Sequence, residues 1–414
     1  MKNQNLFKFK EMRIGILTYH YVFNFGANLQ VYSTIEYLKN NGFDPIVINW
    51  IPEDLELRYK GNIPIVQADA HKKFIKDHIP CSEICRTDLD IAKLVEKSNI
   101  KRIIIGSDAV LQHKSFLSRV HLQRKGIIVD PVPGSDVLFP NPFWGSFIPS
   151  MKKKIPVSIM AASSMNTNYK YFRGNLKKKM NTSLSQFQSV TVRDDWTMKM
   201  VKYITNGKII PSIMPDPVFA YNQNIKDQAS KKDILNKFRL SDNYILLSFR
   251  NQRSVSKEWM QAFGLIAEKN NLQCVALTMP GGIKFDAPFP KSVESPLCPT
   301  DWYGLIKYSS GYIGENMHPI VVALHNSVPF FSFDSYGIVK YKYFVNEKSS
   351  KIYDLLSLSG FLKKRICRLG KGYRSPSPGS VFFQIKDFDF EKCKHFSINQ
   401  LNKYNSMMES LLSL

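Results

Sequence analysis

Acidic residues are scarce in this chain of 414 residues, where 34 Asp and Glu face 57 Lys and Arg for a formal net charge of +23. A surface of that sign selects anionic partners: nucleic acid, anionic lipid headgroups, or phosphorylated and acidic small molecules. Helix-turn-helix, RRM, KH and zinc-finger signatures are missing, and the basic runs "MKKK" at 151 and "LKKKM" at 176 carry no interleaved aromatics, so no nucleic acid is expected. Those runs read either as solvated surface or as a peripheral contact with an anionic membrane face. The six cysteines form no CxxC pair, which suits free thiols in a reducing compartment. "HIPCSEIC" offers His78, Cys81 and Cys85 as metal ligands without a fourth, and no metal is expected. No apolar run approaches the roughly 18 residues that span a bilayer, and "MKNQNLFKFKEMR" has no signal-peptide core, so a cytoplasmic location is expected. Neither GxGxxG nor GxxxxGK[ST] occurs, which argues against dehydrogenases and kinases.

What is present is a folded composition, 44% hydrophobic, at a length beyond which single cores usually split. Two α/β domains are expected. "RIGILTYH" reads as a first strand, followed by the loop "YVFNFGAN" and a helix over "LQVYSTIEYLKNNG". Three later apolar strands end in polar groups: Gly106, Ser107 and Asp108; then Ser163 and Ser164; then Arg193, Asp194 and Asp195. That recurrence marks the ligand edge of an α/β sheet. An aperiodic stretch at 222–235 separates this part from a second set of strands that opens with "NYILLSFR". The expected domains are 1–225 and 236–395, with a helix over 396–414 packing back and "YRSPSPGS" (373–380) as a loop.

"GYIGENMHPIVVALHNSVPFFSFD", residues 311–334, is one β-α-β unit. Tyr312 and Ile313 close a strand, Pro319 suits a first helical turn, and Asn326 and Ser327 end the helix. His318 therefore stands at a strand-to-helix junction, where α/β sheets hold ligands. The other reading is a core or capping histidine. His325, seven residues on, reads as packing.

Taken in order, "GILTYHYVFNFGANLQVYSTIEYLKNNGF", "GSDAV", "SVTVRDDWT", "PDPVF" and "ENMHPIVVALHNSVPFFSFD" resemble the polysaccharide pyruvyl transferase family over about residues 13–345. The resemblance implies a GT-B-like fold, two Rossmann-like domains facing a cleft, with the acceptor on the first and the donor on the second. It also implies transfer of the enolpyruvyl carbons of phosphoenolpyruvate, a co-substrate and not a cofactor, to a glycan unit that is often lipid-linked. Ketal formation needs a proton on the methylene carbon and cations for a phosphate and a carboxylate. His318 and Arg193 match the family's histidine and arginine, and are expected as general acid and donor ligand. A salt bridge to Asp194 or Asp195 is the plainer reading of Arg193. Arg250, Lys340 and Asn316 complete the expected donor side; many relatives carry arginine where Asn316 stands. Asn24 and Gly26, in the family's N-aromatic-G loop, join Ser107 and His20 on the acceptor side, with Asp108 as base or helix cap. Two rival readings stay open: a GT-B glycosyltransferase using a nucleotide sugar, and a non-catalytic subunit of a glycan-synthesis complex.

Overall fold

The computed structural model describes residues 12–55, 63–123, 126–279, 281–340 and 344–413. The first half supplies β1 (Arg13–Leu17), β2 (Asp44–Val47), β3 (Arg102–Asp108), a hairpin of β4 (Val120–Gln123) and β5 (Gly126–Val129), then β6 (Val157–Ala162), β7 (Ser189–Val192) and β8 (Ser212–Ile213). The second supplies β9 (Tyr244–Ser248), β10 (Gln273–Leu277), β11 (Lys291–Val293), β12 (Gly311–Gly314), β13 (Phe330–Asp334), the hairpin β14 (Ile338–Lys340) and β15 (Phe344–Asn346), and β16 (Arg365–Cys367). Two six-stranded sheets result, ordered β2-β1-β3-β6-β7-β8 and β11-β10-β9-β12-β13-β16. Every pairing within them is parallel. Fully buried apolar strands such as β9 are what a parallel sheet covered on both faces requires.

Strand order reverses at β1/β3 in the first sheet and at β9/β12 in the second. Ligands of open α/β sheets bind outside the carboxyl ends of the strands at such switch points. Asp108 ends β3, and Arg250 and the helix bearing His318 follow β9 and β12, so both switch points contribute residues to one region.

Two helices tie the halves together. Phe25–Asn40 begins inside the stretch read as a loop, because Asn24 accepts hydrogen bonds from Gly26 N and Ala27 N and caps it there. Its Phe25 and Leu29 enter the core of the second sheet, with Phe25 against Trp302, while Val31, Ile35 and Leu38 enter the core of the first. Burying each such side chain stabilises by about 2 kcal/mol. The last helix, Phe390–Ser413, starts six residues before the expected 396 and spans both halves. Cys393 Sγ donates to Leu324 O on the second, and Leu411 O accepts from Arg102 on the first.

The 373–380 stretch is not wholly a loop: Ser377 caps a helix over Pro378–Lys386, with Pro378 in its first turn. His78 packs on Tyr32 and Phe74, whereas Cys81 and Cys85 pair through their backbones with Val47 and Trp50. Among the described residues no helix is long and apolar enough to cross a membrane.

Candidate functional site

His318 is the second residue of the helix Met317–His325, and its ring is buried. Room for that ring comes from Gly26, where a Cβ would lie 2.1 Å from both Cγ and Nδ1 of His318. The close approach that Gly26 permits is thus made by this imidazole, within the protein. His318 Nε2 lies 3.9 Å from Asp216 Oδ2 and has no hydrogen-bond partner among the described residues. Asp216 follows β8 and caps the turn Pro217–Ala220 through Val218 N. Its Oδ2 also accepts from Arg193 Nη1 and Gln30 Nε2, both at 2.5 Å. Arg193, at the end of β7, reaches Asp108 Oδ1 with Nη2 at 3.5 Å, and its Nε has no partner among the described residues. The guanidinium therefore turns to Asp216 and Asp108, and no ion pair with Asp194 or Asp195 forms: Asp194 caps the helix Asp195–Ile204, and Asp195 pairs with Lys199.

Lys351 enters from a distant segment as the first residue of the helix Lys351–Leu358. It is 7% exposed, its Nζ lies 3.2 Å from Met165 Sδ and 4.7 Å from the Tyr336 ring centroid, and no carboxylate among the described residues pairs with it. Its charge bears on Asp108 and His318.

Burial and mixed charge set the protonation states. Burial pushes His318 down to about 4 although Asp216 and Asp108 pull upward. Burial, helped by Arg193, brings Lys351 down to about 8. For Arg193 burial opposes the charge, but Asp216 and Asp108 outweigh it and hold the guanidinium above its usual value. For Asp108 burial also opposes the charge, and Arg193, His318 and Lys351 keep the carboxyl below the usual range. Asp108 sits at φ 79°, a left-handed conformation that costs a non-glycine residue about 1 kcal/mol or more and concentrates at functional sites. No helix starts there, so the capping alternative does not apply.

The other expected residues divide. Asn24 spends its side-chain oxygen capping a helix. Ser107 Oγ donates to Ala161 O, and both His20 nitrogens are engaged, by Thr18 O at 3.0 Å and Asn49 Oδ1 at 2.8 Å. These three are therefore committed to local structure. Asn316 caps the His318 helix by backbone position, and its Nδ2 lies 3.6 Å from Met279 Sδ. Arg250 donates its backbone N–H to buried Glu315, and its exposed side chain lies close enough to influence Tyr336. Lys340 ends β14, and its side chain lies outside the described residues. His325 is half-buried, with Nδ1 at 3.2 Å from Ser397 Oγ. Missed from sequence were Lys351, Asp216 and Gln30. Asp216 lies in "PDPVF", one of the motifs behind the family resemblance, and so had a signal; Lys351 and Gln30 had none.

A family model described as polysaccharide pyruvyl transferase matches residues 24–336. Among solved structures, the UDP-GlcNAc 2-epimerase from Methanocaldococcus jannaschii aligns with TM-score 0.50 at 10% identity, over 93% of this chain and 98% of its own. That from Neisseria meningitidis, bound to UDP-GlcNAc, gives 0.49 at 10% identity over 98% and 100%, and a glycosyltransferase from Streptomyces nogalater 0.46 at 9% over 97% and 98%. At such identities the likeness is one of fold, the GT-B arrangement of two parallel α/β units. A search of curated proteins gives no match.

Proposed function

The chain belongs to the polysaccharide pyruvyl transferase family, and from that premise we propose that it joins phosphoenolpyruvate to two hydroxyls of a saccharide as a pyruvate ketal, releasing phosphate. The observation that carries this reading is a set of buried nitrogens in excess of their partners: Arg193 Nε and His318 Nε2 are unpaired among the described residues, and Lys351 Nζ meets only a thioether and a ring face. Burying such groups costs several kcal/mol unless a ligand completes their hydrogen bonds. A small molecule carrying both a phosphate and a carboxylate does so.

In this reading Arg193 and Lys351 hold the donor's anionic groups, with Arg250, Lys340 and Asn316 as further contacts from the second half. His318 is neutral near pH 7 before the donor arrives, and the donor's charge beside it favours the imidazolium. His318 gives its proton to the methylene carbon, and one acceptor hydroxyl attacks C2 while Asp108 takes that hydroxyl's proton. Phosphate then leaves, and the second hydroxyl closes the ketal. Of the two hydroxyl protons, one replaces the proton given to the methyl group and the other leaves with phosphate.

His318→Gln is expected to cut acceptor-dependent phosphate release from phosphoenolpyruvate about a thousandfold, the scale of a lost general acid, with the melting curve retained. Undiminished turnover in a folded variant rejects the assignment. Thermal shift separates the rival donor: phosphoenolpyruvate raises the melting temperature under this reading, and a nucleotide sugar alone does so under the glycosyltransferase reading.

A further inference from the structure

The connection that leaves β3 at Asp108 carries the hairpin β4–β5 on the way to β6. Ile127, Ile128 and Val129 are consecutive in β5 and are 66%, 47% and 46% exposed. Successive strand residues point to opposite faces, so β5 is exposed on both of its faces. Phe116 and Leu117, in the turn of helix leading into it, are also exposed, at 61% and 58%. Isolated two-stranded ribbons are marginal in water, and contiguous exposed aliphatics mark a surface that something covers.

Charge identifies the covering phase. Residues 114–130 hold Lys114, Arg119, Arg124 and Lys125 against the single acid Asp130. A protein partner docks on one face of a ribbon, whereas a bilayer interface surrounds both faces and accepts basic side chains at headgroup level. We propose that the turn 116–119 and the strand 126–129 meet the surface of an anionic phospholipid bilayer, their exposed aliphatic residues entering the acyl boundary and neighbouring basic residues meeting the headgroups. This goes beyond the reaction proposed above and does not depend on it. The basic runs at 152–154 and 177–179 lie elsewhere, and the aliphatic residues beside them, Ile155 and Leu176, pack against the first core, so these lysines suit screened attraction but not insertion.

The test is sedimentation of the full chain with vesicles of phosphatidylcholine alone or mixed with phosphatidylglycerol. Binding to the mixed vesicles is expected, and the double variant Ile127→Asp, Ile128→Asp should weaken it at least tenfold, since each aliphatic withdrawn from lipid is worth about a factor of ten. The same variant should melt at the wild-type temperature, as exposed substitutions do. Equal binding to both vesicle types, or unchanged binding by the double variant, overturns the proposal. So does light scattering that shows a dimer dissociated by the double substitution without any change in vesicle binding, because the ribbon is then covered by a second copy of the chain.

Discussion

Lys351 and Lys364 are both hidden, at 7% and 6% exposure, yet their ammonium groups meet opposite surroundings. Lys364 points into the end of the helix Pro378–Lys386, where it donates to the backbone oxygens of Gln384 (2.6 Å) and Asp387, with the Asp387 carboxylate at 3.9 Å. Those are the carbonyls a helix leaves unpaired, at the end its dipole makes negative. Lys351 occupies the first position of its own helix, where the dipole repels a cation, and it has a thioether and a ring in place of oxygens. One lysine completes a structure; the other is tolerated at a cost and suits an anion brought from outside. Burial lowers the pKa of both, and Lys351 reaches about 8.

Lys351→Met tests that contrast most severely. Affinity for phosphoenolpyruvate by titration calorimetry should fall about a hundredfold, the worth of a charge-assisted contact. The apo protein should become more stable, by about 2 kcal/mol in chemical denaturation at pH 7. The sign follows from the lowered pKa: the unfolded chain holds this proton more tightly, so the cost grows as pH falls from about 10.5 to 8 and is complete at pH 7. Unchanged affinity would place Lys351 beside Lys364 as a structural group. Lys364→Met should do the reverse, lowering stability by about 1–3 kcal/mol because backbone oxygens lose their donor, with donor affinity unaltered.

Last comes an acid effect shared among four histidines. Burial pushes His71, His113 and His318 down to about 4 and His325 to about 3. Between about pH 6.5 and 4 the unfolded chain binds protons that the folded chain refuses. Stability is therefore complete above about 6.5 and declines toward 4, by up to about 1.4 kcal/mol per pH unit for each histidine. Melting temperatures at pH 7 and 5 check this. Lys351→Met should ease the decline slightly, because Lys351 is among the charges holding His318 down, while Lys364→Met should leave it alone.

Much of the architecture was legible in short patterns. Apolar runs located β3, β6, β9 and β13. Helix starts were less legible: Asn24 brought one forward into an apparent loop, and Ser377 with Pro378 opened another inside a Pro/Ser stretch. The helix Asp88–Lys97 carries a Thr87/Asp90 capping box that the sequence makes legible. His318 and Arg193 stood out because each follows an apolar strand, whereas nothing in the letters "KSSK" distinguishes Lys351 from a surface lysine.

By itself the sequence determined the alternation of strands and helices, the order of the motifs and the excess of positive charge, since periodicity, caps and composition are properties of neighbouring residues. Tertiary structure alone decided which side chains share a carboxylate, that Gly26 makes room for an imidazole almost three hundred positions away, and that buried Lys351 meets a thioether and a ring face. Those outcomes depend on where two switch points face each other, and contacts between remote segments leave no local pattern to read.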